Sequence, residues 1–319
     1  MYKNRVMKKG IQIVSILTLL AILCLTPAYL GAAKERTSSA QLATPDQTPL
    51  TAEQLRGLMS QTITNQHRDD AALDSFERLE RHVTHAGGVN GPVTDEKTYR
   101  VVPTGSGTLR LLISQNGAPV SPILYRRQLH DWESVLEVAV HADDPREIAV
   151  VAKQQKRRKE RARFVDTVFS AYRITWLGRE VRDGRIFEKL QLEPNPDYPP
   201  RGDTTDWLTH ARAIVWIDAQ AAQVVSIDAT IIRDISVGGG MLGKIYRGGR
   251  FHMEQAPAAP GIWEPTLYQY DISGRKFLFS FAMHDVTWST HYAFLGETTD
   301  ALAEARSNLA HCCGISADP

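Results

Sequence analysis

The stretch Arg212–Ile235, RAIVWIDAQAAQVVSIDATIIRDI, decides the fold class. Its first part, Arg212–Asp218, is a short apolar run of strand length. In its second part Val225, Ile227, Ala229, Ile231 and Ile235 fall on one face, with Ser226, Asp228, Thr230 and Asp234 on the other. A period of two is what a half-buried strand requires, because successive side chains leave the pleated backbone on opposite sides. No helix fits between the two runs, so they are expected to pair antiparallel rather than through a crossover.

The pattern extends in both directions. Toward the N-terminus, Tyr172, Ile174 and Trp176 alternate with Arg173 and Thr175. Asp183-Gly184 then breaks the run, and Ile186, Leu190 and Leu192 alternate with Phe187, Lys189 and Gln191. The proline-rich Pro194–Gly202 reads as a rigid loop outside any central ladder. Toward the C-terminus, Gly238-Gly239-Gly240 turns into a segment ending at Tyr246, and Arg250–Glu254 follows. Gly261–Pro265 opens a strand to Ile272, Ser273-Gly274 reads as a tight turn, and Phe277, Phe279, Phe281 and Met283 line one face of the next strand. Thr287–Phe294 is a final strand, and Thr98–Val102 and Thr108–Ser114 are two earlier ones. Eight or more strands joined by short turns predict an α+β fold: a curved antiparallel sheet, an incomplete barrel, covered by helices.

Two helical regions supply that cover. Thr51-Ala52-Glu53-Gln54 is a capping box, in which Thr and Gln side chains satisfy exposed backbone donors. Leu55, Met59 and Ile63, then Leu73, Phe76, Leu79 and Val83, recur at steps of three and four, as a helix or a helix pair broken near Gln66–Asp70. Residues 121–170 form a helical insertion, and 297–319 a short helix and tail. Residues 51–296 thus read as one domain.

Ahead of the domain, residues 1–33 carry Lys3, Arg5, Lys8 and Lys9, an apolar run Ile11–Leu25, and the small residues Gly31-Ala32-Ala33. That is the layout of a signal peptide, and the run falls short of the ~20 residues a membrane-spanning helix needs. An uncleaved inner-membrane anchor is the alternative. Residues 34–50 are a polar, proline-containing linker. Removing four cations from a net charge of +1 leaves −3. That balance argues against a nucleic-acid partner, which calls for a basic excess. Only Cys312 and Cys313 remain after the leader, so no separated pair can staple the core, which apolar burial must hold alone.

The chemistry-bearing motifs are missing. There is no Gly-x-Ser-x-Gly elbow, no phosphate loop ending in Gly-Lys-Ser/Thr and no His-Glu-x-x-His, so no catalytic residue is assigned and no cofactor implied. His252, His284 and His291 lack the close spacing of a zinc site, and Arg201-Gly202-Asp203 is too short to carry meaning. What stands out is apolar. Trp176, Trp216, Phe277, Phe279, Phe281 and Met283 are expected on the concave face of the sheet, as plain core or as the lining of a cavity for an acyl chain. The basic run Lys153–Arg163 is a solvated helix face, or, through Lys153, Lys156, Arg157 and Arg158, a contact with an anionic membrane.

The order of several segments is also familiar. Arg185–Pro196 (RIFEKLQLEPNP), Ala213–Asp218 (AIVWID), Gly238–Gly248 (GGGMLGKIYRG), Gly261–Pro265 (GIWEP) and Ser273-Gly274-Arg275 follow one another within 172–294. This succession resembles bacterial envelope proteins of the LolA/LolB-like superfamily, the lipoprotein-carrier fold. The resemblance implies a curved antiparallel sheet holding an apolar cavity under helices. It also implies a periplasmic, non-catalytic binder of acyl chains, lipid or lipid-anchored proteins. No residue role is carried over by position, because the shared segments are turns and strand starts. The alternative is a structural or protein-interaction module of the envelope with a filled core.

Overall fold

Residues 47–199, 206–237 and 242–312 are described by the computed structural model of the chain. The leader 1–33, most of the linker 34–50, Arg201-Gly202-Asp203, Gly238-Gly239-Gly240 and the tail from Cys313 lie outside the described residues.

Helix α1 (Ala52–Ala72) opens with the expected capping box: Gln54 N donates to Thr51 Oγ1 at 3.2 Å, and Thr51 N donates to Gln54 Oε1 at 2.8 Å. A short 3-10 turn (Leu73–Ser75) leads into β1 (Phe76–Ala86), followed by β2 (Val93–Pro103), β3 (Thr108–Gln115) and β4 (Ala118–Pro119). The insertion is two helices, α2 (Pro122–Ala139) and α3 (Pro145–Ala171). Each starts with proline behind a capping side chain, Ser121 and Asp144, because the first turn does not use the donor that proline lacks. Then come β5 (Tyr172–Arg182), β6 (Arg185–Pro194), β7 (Ala211–Asp218), β8 (Gln223–Ile231), β9 (Ile235–Val237) and β10 (Gly243–Ile245). The chain continues through β11 (Arg250–Ala259), β12 (Ile262–Lys276), β13 (Phe279–Phe294) and α4 (Thr298–His311).

Among the described residues the strands form one antiparallel sheet in the order β4-β3-β2-β1-β13-β12-β11-β8-β7-β6-β5, with β10 beside β12 and β9 beside β10. The fold is α+β, and the sheet stays open, with β4 and β5 at its edges. Hairpins generate nearly every pairing. The exceptions are β8 with β11, β10 with β12, and β1 with β13, the last joining the two chain halves.

Two local readings are corrected. Phe76, Leu79 and Val83 belong to strand β1 and not to a helix. Its buried side chains alternate as Phe76, Arg78 and Glu80, and two of these are charged, so the period of two is hidden from a count of apolar residues. Ser273-Gly274 is no turn. Strand β12 runs through it to Lys276, and the chain reverses at Phe277-Leu278. Gly274 serves close approach instead: a β-carbon there would lie 2.2 Å from the Lys244 carbonyl oxygen and 2.9 Å from Cζ of Phe281.

Direct ladder partners share a face, so one row defines the inner side: His82, Thr287, Tyr268, Met253, Ile227, Val215, Leu190 and Trp176. At the β5–β8 end, α1 and α3 cover this side, burying Met59, Ala171, Leu190, Leu192 and Ile217. At the β2–β3 end, α2 and α4 cover the opposite side, because Val102 points away from its neighbour Val101, the partner of Arg78. There Leu129, Trp132 and Leu136 pack on Val102 and Leu111, and Trp132 Nε1 donates to the Pro103 carbonyl at 2.8 Å. At ~25 cal/mol per Å² of apolar surface, these two clusters provide the principal stabilisation.

Candidate functional site

Between the two cores, the inner side of β13 changes character along its length. Its inward residues run Phe279, Phe281, Met283, Asp285, Thr287 and Ser289. On β12, Ile272 lies level with Met283 and Tyr270 with Asp285; on β11, Phe251 lies level with Tyr270. The end near the β12–β13 turn is therefore apolar and open. Phe277, Leu278 and Phe279 are 45%, 90% and 78% exposed, whereas Ile272 is buried. Tyr270 marks the change, its hydroxyl donating to Asp285 Oδ2 at 2.5 Å.

The other end is closed and charged. Arg78 pairs with Glu80 at 2.9 Å, and Arg110 reaches the second Glu80 oxygen at 2.7 Å. Burial alone would raise the Glu80 carboxyl, but Arg78, His82 and Arg110 together outweigh it and hold it below its ordinary value. Glu264, buried beside Arg78, goes the other way. Burial pushes it up to about 9, the charges of Asp69, Asp70 and Asp74 add to the rise, and Arg78 only partly opposes it. Glu264 therefore holds its proton at neutral pH. Asp69, also raised by burial, accepts from Gln223 Nε2 at 2.7 Å, which ties α1 to β8.

The register divides the six apolar residues expected in the cavity. Phe279, Phe281 and Met283 share the inner face of β13, and Phe277 occupies the turn at its start. Trp176 lies on the inner face of the distant edge strand β5, its Nε1 donating to Glu188 Oε2 at 2.6 Å. Trp216 lies on the outer face: Val215 is level with Leu190 and Trp176, so the next residue points away. Its ring is flanked by Lys189 at 5.1 Å and Arg182 at 5.5 Å. Phe251, Tyr270 and Ile272 lie on the same face beside the β13 residues, and their alternation along β11 and β12 was the signal available in the sequence.

The other candidates fall elsewhere. His252 is held between Asp228 at 2.6 Å and Glu254 at 3.0 Å, the Glu254 contact first raising its pKa. Among the described residues no group of three or more His, Cys, Asp or Glu could hold a metal. On α3, Lys153, Lys156 and Arg157 are exposed, while Arg158 pairs with Asp74 at 3.0 Å. A surface groove of about 440 Å³ lies on this helix, lined by Ala152, Gln155, Lys156, Lys159, Glu160 and Arg163. The apolar side of α3 is occupied, since Phe164 and Val168 pack against the first core and Phe164 stacks on Trp207 at 5.2 Å. Among the described residues no helix is long and apolar enough to cross a membrane.

No family model and no curated protein matches the chain. Among solved structures, it is similar to a LolA superfamily protein of Nitrosomonas europaea, at 12% identity and a TM-score of 0.29 over 75% of this chain and 92% of that one. A DUF1329 family protein of Desulfovibrio piger gives 12% identity and a TM-score of 0.28 over 75% and 92%. An outer membrane lipoprotein-sorting protein domain of Vibrio parahaemolyticus gives 10% and 0.29 over 78% and 99%.

Proposed function

We propose that this protein is a non-catalytic binder of acyl chains, carried by a lipid or a lipid-anchored protein, and that it works in the periplasm after export through residues 1–33. One observation carries the reading: the open end of the inner face is apolar, with Phe251, Ile272, Phe281 and Met283 on adjacent strands running toward the exposed Phe277–Phe279. A chain laid along this stripe gains ~0.8 kcal/mol for each methylene removed from water, so no polar anchor is needed. Trp176, on the same face but across the sheet, would be reached only by a ligand extending under α1 and α3.

The test is uptake of a fluorescent fatty acid by the purified protein. Met283→Asp puts a charge at the centre of the stripe and is expected to weaken uptake at least about tenfold, the equivalent of ~1.4 kcal/mol. Normal uptake by a variant with an unchanged circular dichroism spectrum would sink the reading. A specific observation favours a second one, an envelope interaction module with a filled core: the Arg78–Glu80–Arg110 ions already occupy the closed half of the inner face. That module would show no fatty-acid uptake in the unaltered protein.

A further inference from the structure

We infer that the β12–β13 hairpin tip is a wedge that inserts into an anionic bilayer. The inference goes beyond the acyl-chain reading, because it rests on the exposed turn at the end of the stripe and not on the stripe itself, and can fail separately.

The tip is built against turn chemistry. Two-residue hairpin turns favour Asn, Asp and Gly, which tolerate positive φ. Here the turn residues are Phe277 and Leu278, and Phe277 sits at φ 54. Leu278 is 90% exposed and Phe279 78%. The β1–β2 turn lies further back along β13, where Gly87 N donates to the Ala282 carbonyl at 2.9 Å. Three consecutive apolar side chains, Phe277, Leu278 and Phe279, thus project from the end of the β12–β13 hairpin. Single exposed apolar residues are ordinary on a protein surface, whereas a contiguous group marks a contact surface.

Charge selects the partner. β10 flanks the tip, since Phe277 N donates to the Leu242 carbonyl at 3.2 Å and Lys244 lies level with Arg275. This places Lys244, Arg275 and Lys276 beside it, with Asp234 paired to Lys244 at 2.8 Å; Arg250 lies further back, level with Asp271. An apolar wedge collared by cations suits an anionic lipid surface, where the wedge reaches hydrocarbon and the collar meets headgroups. Along the basic stretch of α3 this pairing is weaker, because Phe164 and Val168 are spent on the core and the exposed Ile148 and Val150 lie ahead of it. An acyl chain released by the bilayer would meet the inner stripe directly behind the wedge.

The experiment uses the full chain with an environment-sensitive fluorescent amino acid at position 278. It is mixed with phosphatidylcholine vesicles with or without phosphatidylglycerol. The probe at position 278 reports the tip alone, whatever residues 1–33 do at a membrane. Insertion is expected as a blue shift and quenching by lipid-borne quenchers on the anionic vesicles. Lys276→Glu should weaken the partition about tenfold or more, and Phe279→Ser by a similar factor. A probe that stays water-exposed on anionic vesicles overturns the inference, as does equal insertion into both vesicle types. A lipid-free, concentration-dependent blue shift with a doubled mass overturns it in favour of a second copy of the chain. Met283→Asp separates the two proposals: it is expected to weaken fatty-acid uptake at least about tenfold and to leave tip insertion unchanged, and loss of insertion in that folded variant overturns the wedge as an independent site.

Discussion

The two ends of one sheet face have been made in opposite ways. At the closed end the inward residues are two ions, Arg78 and Glu80, and the protonated carboxyl of Glu264, each 6% exposed or less. At the open end they are phenylalanine, isoleucine and methionine, and the outermost lie in water. Ordinary folding would reverse this arrangement, because burying an ion costs several kcal/mol and exposing an apolar group forgoes its burial. Strands β12 and β13 run through both regions, so the difference comes from side chains and not from backbone. The closed end is stabilised only by pairing, and the open end leaves a contact unmade. The lesson is that the open end is where a partner is to be sought.

The largest effect should come from breaking the pairing. Arg78→Met leaves Glu80 buried with one of its two cations, and ~3 kcal/mol of stability is expected to be lost in urea unfolding. Arg78→Met with Glu80→Leu should recover most of that loss, because both buried charges then disappear. If the double substitution is no better than the single one, the ions do more than satisfy each other, and the closed end would itself become a candidate site.

Glu264 gives a smaller, pH-dependent effect. Its folded pKa is about 9, against an ordinary value of 4.5. Between these values the folded state keeps a proton that the unfolded state has released, so this group makes stability fall as pH rises from about 4.5 toward 9. Glu264→Gln cannot ionise in either state. Its advantage over the unaltered protein should grow from pH 5 to pH 8, reaching about 2 kcal/mol in paired urea titrations. An advantage that stays constant with pH would show that Glu264 is ionised in the fold.

How far the sequence could be read follows from the same contrast. Strands β5 to β8 were legible because their inner residues are largely apolar and alternate, as in Ile227, Ala229 and Ile231, although a bulge in β8 sets Val224 and not the expected Val225 against the core. Strand β1 was not, because Arg78 and Glu80 take inner positions while Leu73, Phe76, Leu79 and Val83 imitate a helical step. Of the site, Phe279, Phe281 and Met283 were legible as one stripe. The opposite facing of Trp176 and Trp216 was not, since it depends on their register across β6, which no single strand contains. The true turn escaped because Phe277-Leu278 has no turn former, whereas Ser273-Gly274 has one that is used for close approach.

That misplaced turn supplies the smallest effect and the most discriminating one. If Phe277-Leu278 were retained for stability, replacing it with Asn-Gly would weaken the fold. The geometry argues the reverse. Phe277 holds a positive φ that asparagine tolerates better, and Leu278, at 90% exposure, has almost no packing to lose. The double replacement should therefore raise stability by roughly 0.5–1 kcal/mol, offset in part by the added freedom of glycine in the unfolded chain. Vesicle binding should fall in the same protein. A gain in stability with a loss of binding would mean that the open end is kept apolar against the interest of the fold, as a site under functional demand is. A loss of stability would mean that the tip packs on its neighbours, and the contrast between the two ends would shrink to a difference in residue type.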